Sequence, residues 1–275
     1  MRIAVFVINL DRDKDRLAFM TRQLDALGLA WERFPAVLGL AVPDELRAWF
    51  FTPEGAPSPT LTPGEIGVYA SHLNAHRRLL ASDFDAALVF EDDVEISARL
   101  PAFLAQVDAL PQGFDLVRLS NPSKSAYVAW ADLGAAGELV AYARVPNNLG
   151  CYLISRAGAA KTTAPRGLRV WAIDEDMRRP WDWGLATYGV LPPPTKANVL
   201  NASSIDALSP RALGRESAWD KLRRRRWISP LAAARRIRWQ IAFLGSAPWL
   251  RCLARDMLKS FMPKRSRASI LRVRR

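Results

Sequence analysis

The sequence predicts an α/β fold, with a mostly parallel sheet flanked by helices and followed by a basic helical carboxyl-terminal extension. Three observations lead to this class. Short continuous apolar runs such as Ile3–Ile8 are typical of strands that are buried on both faces. The first run is followed by helical periodicity and then by a second strand pattern, as in sheets with crossover helices. From residue 211 onward the chain becomes strongly basic.

The first unit of the chain is predicted as strand, loop, helix and strand. Ile3–Ile8 forms the first strand and leads into a polar loop. Apolar residues at helical spacing then predict a helix over about residues 14–28, with Gly28 placed to end it. Trp31–Phe34 is predicted as the second strand, closed by Pro35.

The clearest helix start follows a loop rich in Pro, Gly, Ser and Thr at residues 52–63. Thr62 is in the N-cap position, Pro63 is the first helical residue and Glu65 is the third. This spacing is that of a capping box, in which Thr62 and Glu65 each satisfy the backbone N–H of the other. We expect this helix to run to about Leu80.

Further elements are predicted from apolar runs and from a second capping residue. The predicted strands are Ala86–Phe90, Phe114–Leu119, Leu139–Ala143 and Leu149–Ile154. Ser155 is predicted to cap a helix that ends near Thr163, and residues 164–210 are predicted to be irregular.

Charge divides the chain into a domain at residues 1–210 and a basic amphipathic helical segment at residues 211–275. The second part holds 19 of the 39 Lys and Arg residues but only 3 of the 27 Asp and Glu residues, so its net charge is +16 and that of residues 1–210 is −4. Within it, a helix beginning at Ser246 has one apolar face and a face with Arg251, Arg255 and Lys259. Such a segment should bind a polyanion, whether an acidic membrane surface, a nucleic acid or an anionic glycolipid.

Cysteine use and hydropathy indicate the compartment. Cys151 and Cys252 are the only cysteines, which excludes a disulfide framework and a cysteine metal cluster and favours a reducing cytosol. The sequence has no run of about 18 apolar residues and no convincing secretory signal, so no membrane span is expected.

The strongest chemical signal is the acidic triplet Glu91-Asp92-Asp93, which directly follows a predicted buried strand. Open α/β sheets bind ligands at the carboxyl ends of their strands. Neighbouring carboxylates repel one another unless a cation intervenes, and a divalent metal held there would neutralise a diphosphate leaving group. In extended backbone, Glu91 and Asp93 would face one side and Asp92 the other. The alternative interpretation is a solvated strand end.

The loop after the first strand carries Asn9, Arg12 and Arg16 at the same predicted edge of the sheet. Arginine forms forked contacts with phosphate, so these residues are candidates to bind a phosphate-bearing ligand. The alternative is a loop that caps the following helix and leaves its charges solvated.

Ser71, His72 and His76 lie on the helix that begins after Thr62. Two histidines one turn apart share a helix face and could bind zinc, but no third ligand is evident. His72 could instead form a hydrogen bond with a sugar hydroxyl or a carboxylate. The alternative is a histidine whose hydrogen bonds are satisfied within the core.

Asp174 begins the acidic run Asp174-Glu175-Asp176 and follows the apolar residues 170–173. A carboxylate that emerges from a partly buried element can act as a base and take the proton from a hydroxyl group. The alternative is a helix amino terminus enriched in acidic residues.

In order along the chain, four stretches resemble glycosyltransferase family 25, the family of lipopolysaccharide-core and lipooligosaccharide galactosyltransferases. They are Val7–Arg12 with Arg16, Leu61–Gly67 with Ser71 and His72, Leu88–Asp93, and Gly150–Ser155 with Gly158 and Ala159. The likeness covers about residues 1–205, and Asp174 lies where the family has a Pro-x-Asp stretch. This chain lacks that proline, and Val68 stands where the family has Cys, which excludes a thiol role there.

The resemblance implies a GT-A-like, Rossmann-type α/β fold, a UDP-sugar donor and a divalent metal, Mn²⁺ or Mg²⁺. It also implies inverting transfer, commonly of galactose, onto a lipopolysaccharide-type or other surface glycan. Carried onto this sequence, it implies that Glu91 and Asp93 hold the metal and that Asp93 and Asp174 are catalytic. The implied donor-binding residues are Asn9, Arg12, Arg16, Glu65, Ser71, His72, Glu91 and Asp92.

We therefore expect an enzyme whose partners are a nucleotide-sugar donor, a glycolipid or oligosaccharide acceptor and an anionic membrane surface. It would lie in the cytoplasm, peripheral on the inner face of the inner membrane. No nucleic-acid partner is expected, because aromatic residues are not interleaved with the arginines of the tail. The basic helix could also pack its apolar face on the domain. The alternative function is a non-catalytic sugar- or polyanion-binding protein.

Overall fold

The computed structural model describes residues 1–120, 122–197, 230–263 and 266–275. The helices are Lys14–Ala26 (α1), Asp44–Phe50 (α2), Pro63–Leu80 (α3), Arg99–Leu104 (α4), Arg156–Thr162 (α5), Ile173–Asp176 (α6), Pro180–Trp183 (α7), Pro230–Leu244 (α8) and Ser246–Ser260 (α9). The strands are Ile3–Asn9 (β1), Glu32–Pro35 (β2), Ala86–Glu91 (β3), Val94–Ile96 (β4), Leu116–Arg118 (β5), Tyr127–Asp132 (β6), Glu138–Tyr142 (β7), Cys151–Ser155 (β8), Thr187–Leu191 (β9), Thr195–Ala197 (β10) and Arg272–Arg274 (β11).

Nine of these strands form one sheet in the order β11-β6-β7-β9-β5-β8-β3-β1-β2, and β4 pairs with β10 separately. The strands β2, β1 and β3 are mutually parallel. Beyond them, β8 runs antiparallel to β3 and β5, and β7 runs antiparallel to β6 and β9. Parallel pairing returns between β5 and β9 and between β6 and β11. The α/β class is confirmed, and the sheet of the described residues is mixed beyond its amino-terminal strands.

Helices cover both faces of the sheet because alternate residues of a strand point to opposite sides. Val5 and Val7 of β1 belong to one core, which also contains residues of α1, α4, α8 and α9. Phe6 and Ile8 belong to the other core, with residues of α2, α3, α5, α6 and α7. Each large apolar side chain buried in this way contributes about 1.5–3 kcal/mol of transfer free energy.

The two predicted helix starts are confirmed. Glu65 N donates to Thr62 Oγ1 at 3.2 Å and Thr62 N donates to Glu65 Oε2 at 2.8 Å, which completes the capping box of α3. Ser155 Oγ accepts a hydrogen bond from Gly158 N at 3.1 Å and caps α5. The α3 start places Ser71 and His72 two turns further along the helix.

The prediction that residues 164–210 are irregular is wrong for residues that the structure describes, because β9 lies within the sheet between β7 and β5. Gly189 interrupts the apolar pattern of this strand, so the pattern did not predict a strand here. The gap left by the missing side chain is filled by Tyr142, whose Oη would lie 1.8 Å from a Cβ atom added at Gly189.

The carboxyl-terminal part packs against the main sheet. The boundary predicted between residues 210 and 211 lies outside the described residues, but α9 begins at Ser246 as predicted. β11 pairs in parallel with β6 and so extends the sheet. Across the described ranges, no helix combines the length and the apolar character needed to traverse a bilayer.

Helix α9 packs on the domain through Trp249 and Cys252 and through polar contacts on the same side. Asp256 Oδ1 accepts a hydrogen bond from Ala126 N at 2.8 Å, and Arg255 Nη1 donates to Ile270 O at 2.8 Å. Met257 and Phe261 are 69% and 88% exposed, and Leu250 and Leu253 are exposed with them. The alternative in which this apolar face packs on the domain is therefore wrong for the described residues.

Candidate active site

The candidate residues meet at one edge of the sheet. Ile8 of β1 lies opposite Glu91 of β3, so Asn9 and Asp92 emerge side by side from parallel strands. Glu91 N donates to Gly150 O at 2.8 Å, which joins the start of β8 to the same place. This is the edge at which the sequence places the acidic triplet and the first loop.

Asp92 and Asp93 form a turn between β3 and β4 and do not continue the strand. The prediction that Asp92 faces the opposite side from Asp93 is therefore wrong, because Arg16 Nη2 lies 2.8 Å from both Asp92 Oδ1 and Asp93 Oδ2. Asn9 Nδ2 donates to Asp92 Oδ2 at 2.6 Å. Both oxygens of Asp92 are thus engaged, and this side chain anchors the loop after β1 to the end of β3.

Asp92 and Asp93 are held where burial disfavours their ionised forms. Burial raises the pKa of Asp92 to about 6, against the opposing effects of Arg16 and Asn9. Burial, and then repulsion by Glu91, raises the pKa of Asp93. A cation placed between Glu91 and Asp93 would relieve this crowding.

A buried chain of hydrogen bonds runs behind Glu91. Tyr152 Oη lies 2.9 Å from His72 Nδ1 and 2.8 Å from His76 Nε2, and His76 Nδ1 lies 2.9 Å from Thr162 Oγ1. Burial lowers the pKa of His76 to about 3, so its ring is neutral. Thr162 Oγ1 donates to Ala159 O at 2.9 Å and therefore accepts from His76. It follows that Tyr152 donates to His76 and accepts from His72 Nδ1.

The direction of this chain places a proton on His72 Nδ1 and leaves His72 Nε2 directed toward Glu91. It is buried without a hydrogen-bond partner and lies 3.4 Å from Glu91 Oε1. Among the residues that the structure describes, no three His, Cys, Asp or Glu side chains form a metal-binding group. His72 and His76 both contact Tyr152, which is not the arrangement of a shared zinc ion. A ring nitrogen and a carboxylate oxygen that face each other at this distance are both suitable ligands for one cation.

The residues present fit a divalent metal of the kind that the family resemblance implies. The side chains of Glu91 and Asp93 are 32% and 27% exposed, so each reaches solvent. Mg²⁺ and similar hard ions are usually held by one or two carboxylates, with water and substrate phosphate completing the coordination. Asp92 does not fit this role because Arg16 and Asn9 occupy its oxygens.

Asp174 lies in the first turn of α6, where its Oδ1 accepts a hydrogen bond from Glu175 N at 2.8 Å. Burial raises the pKa of Asp174, the charges of Glu175 and Glu91 raise it further, and Arg118 opposes them. Asp174 is therefore within electrostatic reach of both Glu91 and Arg118. A carboxylate with a raised pKa is suited to general-base chemistry.

Arg118 was not predicted as a site residue from the sequence, and it is 1% exposed at the end of β5. It donates to Asn148 O, while its Nε and Nη1 have no hydrogen-bond partner. Burial lowers the pKa of Arg118 to about 10, so it remains charged at neutral pH. The available signal was a single arginine inside the apolar run Phe114–Leu119. Unpaired buried donors of this kind are costly and mark a place for an oxygen-rich ligand.

Three other candidates make contacts of a structural kind. Ser71 Oγ donates to Gly67 O at 2.7 Å and accepts from Val37 N at 2.8 Å, so it holds the segment after β2 against α3. Arg12 Nε lies 3.7 Å from Asp13 Oδ1. Glu65 belongs to the capping box, about 10 Å along the helix axis from His72.

Two surface cavities lie on either side of the acids. One, of about 600 Å³, is lined by residues of β1, α1 and β2 that include Asn9, Lys14, Arg22 and Arg33. The other, of about 440 Å³, lies between the loops that precede β6 and follow β7. In the order of the sheet, β3, β8 and β5 lie between the strands that neighbour the two cavities.

The first part of the chain matches a family model described as glycosyltransferase family 25 (LPS biosynthesis protein), over residues 2–129. This range contains three of the four motif stretches, whereas Gly150–Ser155 and Asp174 lie beyond it. The matched range ends within β6 and therefore includes the acidic triplet, the loop after β1 and all of α3.

Three related proteins show how far this likeness extends. A glycosyltransferase 25 family member of Anopheles gambiae is 34% identical over 41% of this chain and 21% of its own length. Procollagen galactosyltransferase 2 of Mus musculus is 30% identical over 42% of this chain and 20% of its own length. A probable inactive glycosyltransferase 25 family member 3 of Bos taurus is 30% identical over 60% of this chain and 29% of its own length. The chain spans less than a third of the length of each of these relatives.

Proposed function

Residues 2–129 match the model of glycosyltransferase family 25, and from this premise we propose that the chain is an inverting, metal-assisted glycosyltransferase. Its donor would be a UDP-sugar and its acceptor a lipopolysaccharide-type or other surface glycan. Galactose is proposed as the transferred sugar because the family resemblance implies it and the name of the mouse relative is that of a galactosyltransferase.

One observation carries this proposal: Glu91 and Asp93 are crowded at the carboxyl end of β3, beside the unpartnered Nε2 of His72. Burial and the charge of Glu91 raise the pKa of Asp93, and His72 Nε2 lies 3.4 Å from Glu91 Oε1. These are groups that gain from a nearby cation. Glu91 and Asp93 would hold Mn²⁺ or Mg²⁺, which supplies positive charge to a diphosphate leaving group.

The donor nucleotide is assigned to the side of β1 and α1. The polar residues that line the cavity there include Asn9, Lys14, Arg22 and Arg33, and also Asp11, which forms an ion pair with Arg33. Arg33 Nε donates to Asn9 Oδ1 at 3.1 Å, and Asn9 in turn donates to Asp92, so this wall is joined to the acidic turn. Arg16 would hold the turn in place through its two ion pairs. Cationic side chains at such a position suit a phosphate-bearing ligand.

Asp174 is proposed as the base that takes the proton from the acceptor hydroxyl. Its raised pKa strengthens it as a proton acceptor, and Arg118 limits the shift by favouring the ionised form. Inversion requires the attacking oxygen and the leaving diphosphate to lie on opposite faces of the sugar. The two cavities adjoin strands on opposite sides of β3, β8 and β5 in the sheet, which is consistent with donor and acceptor approaching from different sides.

A location on the inner face of a cytoplasmic membrane is proposed from the orientation of α9. Its exposed apolar residues are Leu250, Leu253, Met257 and Phe261. Exposed Arg251 on the same helix places positive charge at the flank of this apolar surface. An apolar strip with basic neighbours is the pattern of a helix that lies in an anionic lipid surface.

A second candidate function is non-catalytic binding of sugar or a polyanion. It is favoured by one finding, since the related protein of Bos taurus is named probable inactive. The two candidates share donor binding and differ in turnover, so they are separated by whether bound UDP-sugar is cleaved.

The test is a thermal unfolding panel of the full chain with UDP-, GDP- and CMP-sugars, each with and without Mn²⁺, followed by measurement of UDP release. A ligand at about 100 times its Kd stabilises the folded state by about 2.7 kcal/mol, which gives a measurable rise in Tm. We expect UDP-galactose with Mn²⁺ to give the largest rise and to release UDP. Equal shifts for all three nucleotides, or none, would contradict the donor assignment, and a shift without UDP release would support the binding protein.

A further inference from the structure

The cavity of about 440 Å³ between the loops of β6 and β7 is strongly basic. Four of its lining residues are cationic, namely Lys124, Arg144, Arg178 and Lys259, and none of the described residues that line it is acidic. A pocket of this size is larger than a single small anion requires and falls in the range of pockets that bind organic ligands.

Two of the four cations are already neutralised. Arg178 Nη1 lies 2.8 Å from Glu175 Oε1, and Lys259 Nζ lies 3.5 Å from Asp256 Oδ1. Lys124 and Arg144 are exposed and make no ion pair with a carboxylate of the described residues. The cavity therefore presents about two uncompensated positive charges, which matches the charge of −1.5 to −2 on a phosphomonoester near neutral pH.

The cavity is connected to the candidate active site through one loop. Arg144 and Asn147 line the cavity at the start of this loop, and Gly150 at its end accepts a hydrogen bond from Glu91 N at 2.8 Å. Arg178 also lies close enough to Arg118 to lower the pKa of that buried guanidinium further than burial alone. The cavity and the candidate active site are therefore joined through the loop 143–150 and through Arg178.

The cavity is an unsuitable place for the donor nucleotide. None of its described lining residues is aromatic, so a base would find no stacking surface. It also lies on the far side of Glu91 from the cavity at β1 and α1.

We propose that this basic cavity is an acceptor subsite that binds the phosphate group of a phosphorylated glycan, with Lys124 and Arg144 as the binding residues. The assignment to the acceptor rests on the proposed function, whereas the anion site itself does not. The phosphate would hold the glycan so that a neighbouring sugar hydroxyl lies toward Asp174, and the rest of the acceptor would leave the cavity along α9.

The experiment is calorimetric titration of the full chain with glucose 1-phosphate, glucose, inorganic phosphate and UDP. The test variant is Lys124→Gln/Arg144→Gln. The matched control, Arg99→Gln/Arg238→Gln, removes the same charge from exposed residues elsewhere. We expect the wild type to bind glucose 1-phosphate about tenfold more tightly than either glucose or inorganic phosphate. The test variant should lose about tenfold in that affinity, and its affinity for UDP should match that of the control.

Several results would overturn the proposal. If the test variant binds glucose 1-phosphate as tightly as the wild type, the cavity is not the binding site. If the control loses as much affinity as the test variant, the ligand is attracted by net charge alone. If the test variant also loses affinity for UDP, the cavity is part of the donor site. If the wild type binds inorganic phosphate as tightly as glucose 1-phosphate, the site does not recognise a glycan. UDP-sugar turnover measured on the same samples separates this proposal from the proposed function, because either can fail while the other holds.

Discussion

His72 Nε2 lies 3.4 Å from Glu91 Oε1, while the hydroxyl of Tyr152 lies 2.9 Å from Nδ1 of the same ring. The relationship links a helix to a strand end, since His72 belongs to α3 and Glu91 ends β3. The two buried histidines thus form a hydrogen-bonded chain that reaches the end of β3, in addition to packing in the core. The Tyr152 hydroxyl fixes which nitrogen of His72 is available to the site, as supporting hydrogen bonds do for metal-binding histidines.

The first prediction concerns that hydroxyl. Tyr152→Phe leaves His72 Nδ1 and His76 Nε2 without their shared partner, so we expect the free energy of unfolding to fall by about 2 kcal/mol. Mn²⁺ affinity should fall about tenfold, as after loss of a supporting hydrogen bond. Urea unfolding and Mn²⁺ titration measure the two effects. Tyr142→Phe is the control, because Tyr142 Oη is buried without a partner and its removal should cost little. Equal behaviour of the two variants would contradict the role given to Tyr152.

A second prediction separates the acids of the triplet from nearby surface acids. Asp93→Asn and Glu91→Gln should each lower metal-dependent UDP release by about a hundredfold, because each removes a carboxylate that would carry the metal. Asp93→Asn should leave the free energy of unfolding unchanged or raised, since it removes a charge that burial and Glu91 disfavour. Glu95→Gln on β4, whose carboxylate pairs with Lys196 at the surface, is the control and should keep full turnover. Wild-type turnover by Asp93→Asn would end the metal assignment.

The pH dependence of stability follows from Asp92. Burial raises the pKa of Asp92 to about 6 in the folded chain, above the ordinary value of about 4 that it has when unfolded. The folded state therefore binds this proton more tightly, and the stabilisation present at about pH 4 is lost as the pH rises through about 6. We expect the free energy of unfolding of the wild type to fall by about 2 kcal/mol relative to Asp92→Asn over that interval. Urea unfolding of both proteins across it is the measurement, and a constant difference would refute the assignment.

The sequence predicted the parts of the site whose signals are local. The capping box at Thr62 and Glu65 and the strand that ends at Glu91 are consecutive patterns, and both are confirmed. Arg118 and Tyr152 were not predicted as site residues, because each is one polar residue in an apolar strand. Their partners come from loops and helices far along the chain. The position of Asp92 was misjudged because a strand pattern does not reveal where a tight turn begins.

Gly67 allows α3 to lie directly on the backbone that follows β2. A Cβ atom at this position would come within 2.6 Å of Val37 O and 2.8 Å of Gly39 N, and backbone atoms cannot move aside as a flexible side chain does. We expect Gly67→Ala to lower the free energy of unfolding by about 2 kcal/mol. The half-exposed Arg78 on the same helix supplies the control Arg78→Ala, which should change it by less than about 0.5 kcal/mol. Thermal or urea unfolding measures both, and similar values for the two variants would show that α3 has room to shift.

The last prediction concerns the exposed apolar strip of α9. Burying one such side chain in lipid contributes about 1.5–3 kcal/mol, so Met257→Ser/Phe261→Ser should weaken binding to vesicles by more than about tenfold. Flotation with phosphatidylcholine vesicles, with and without phosphatidylglycerol, measures this, and binding by the wild type should need the anionic lipid. Leu38→Ser/Leu40→Ser removes two exposed apolar residues near α3 and is the control. Because neither pair contacts the acids at β3, UDP release without vesicles should be unchanged in both, and equal vesicle binding by the two variants would show that α9 does not carry the membrane contact.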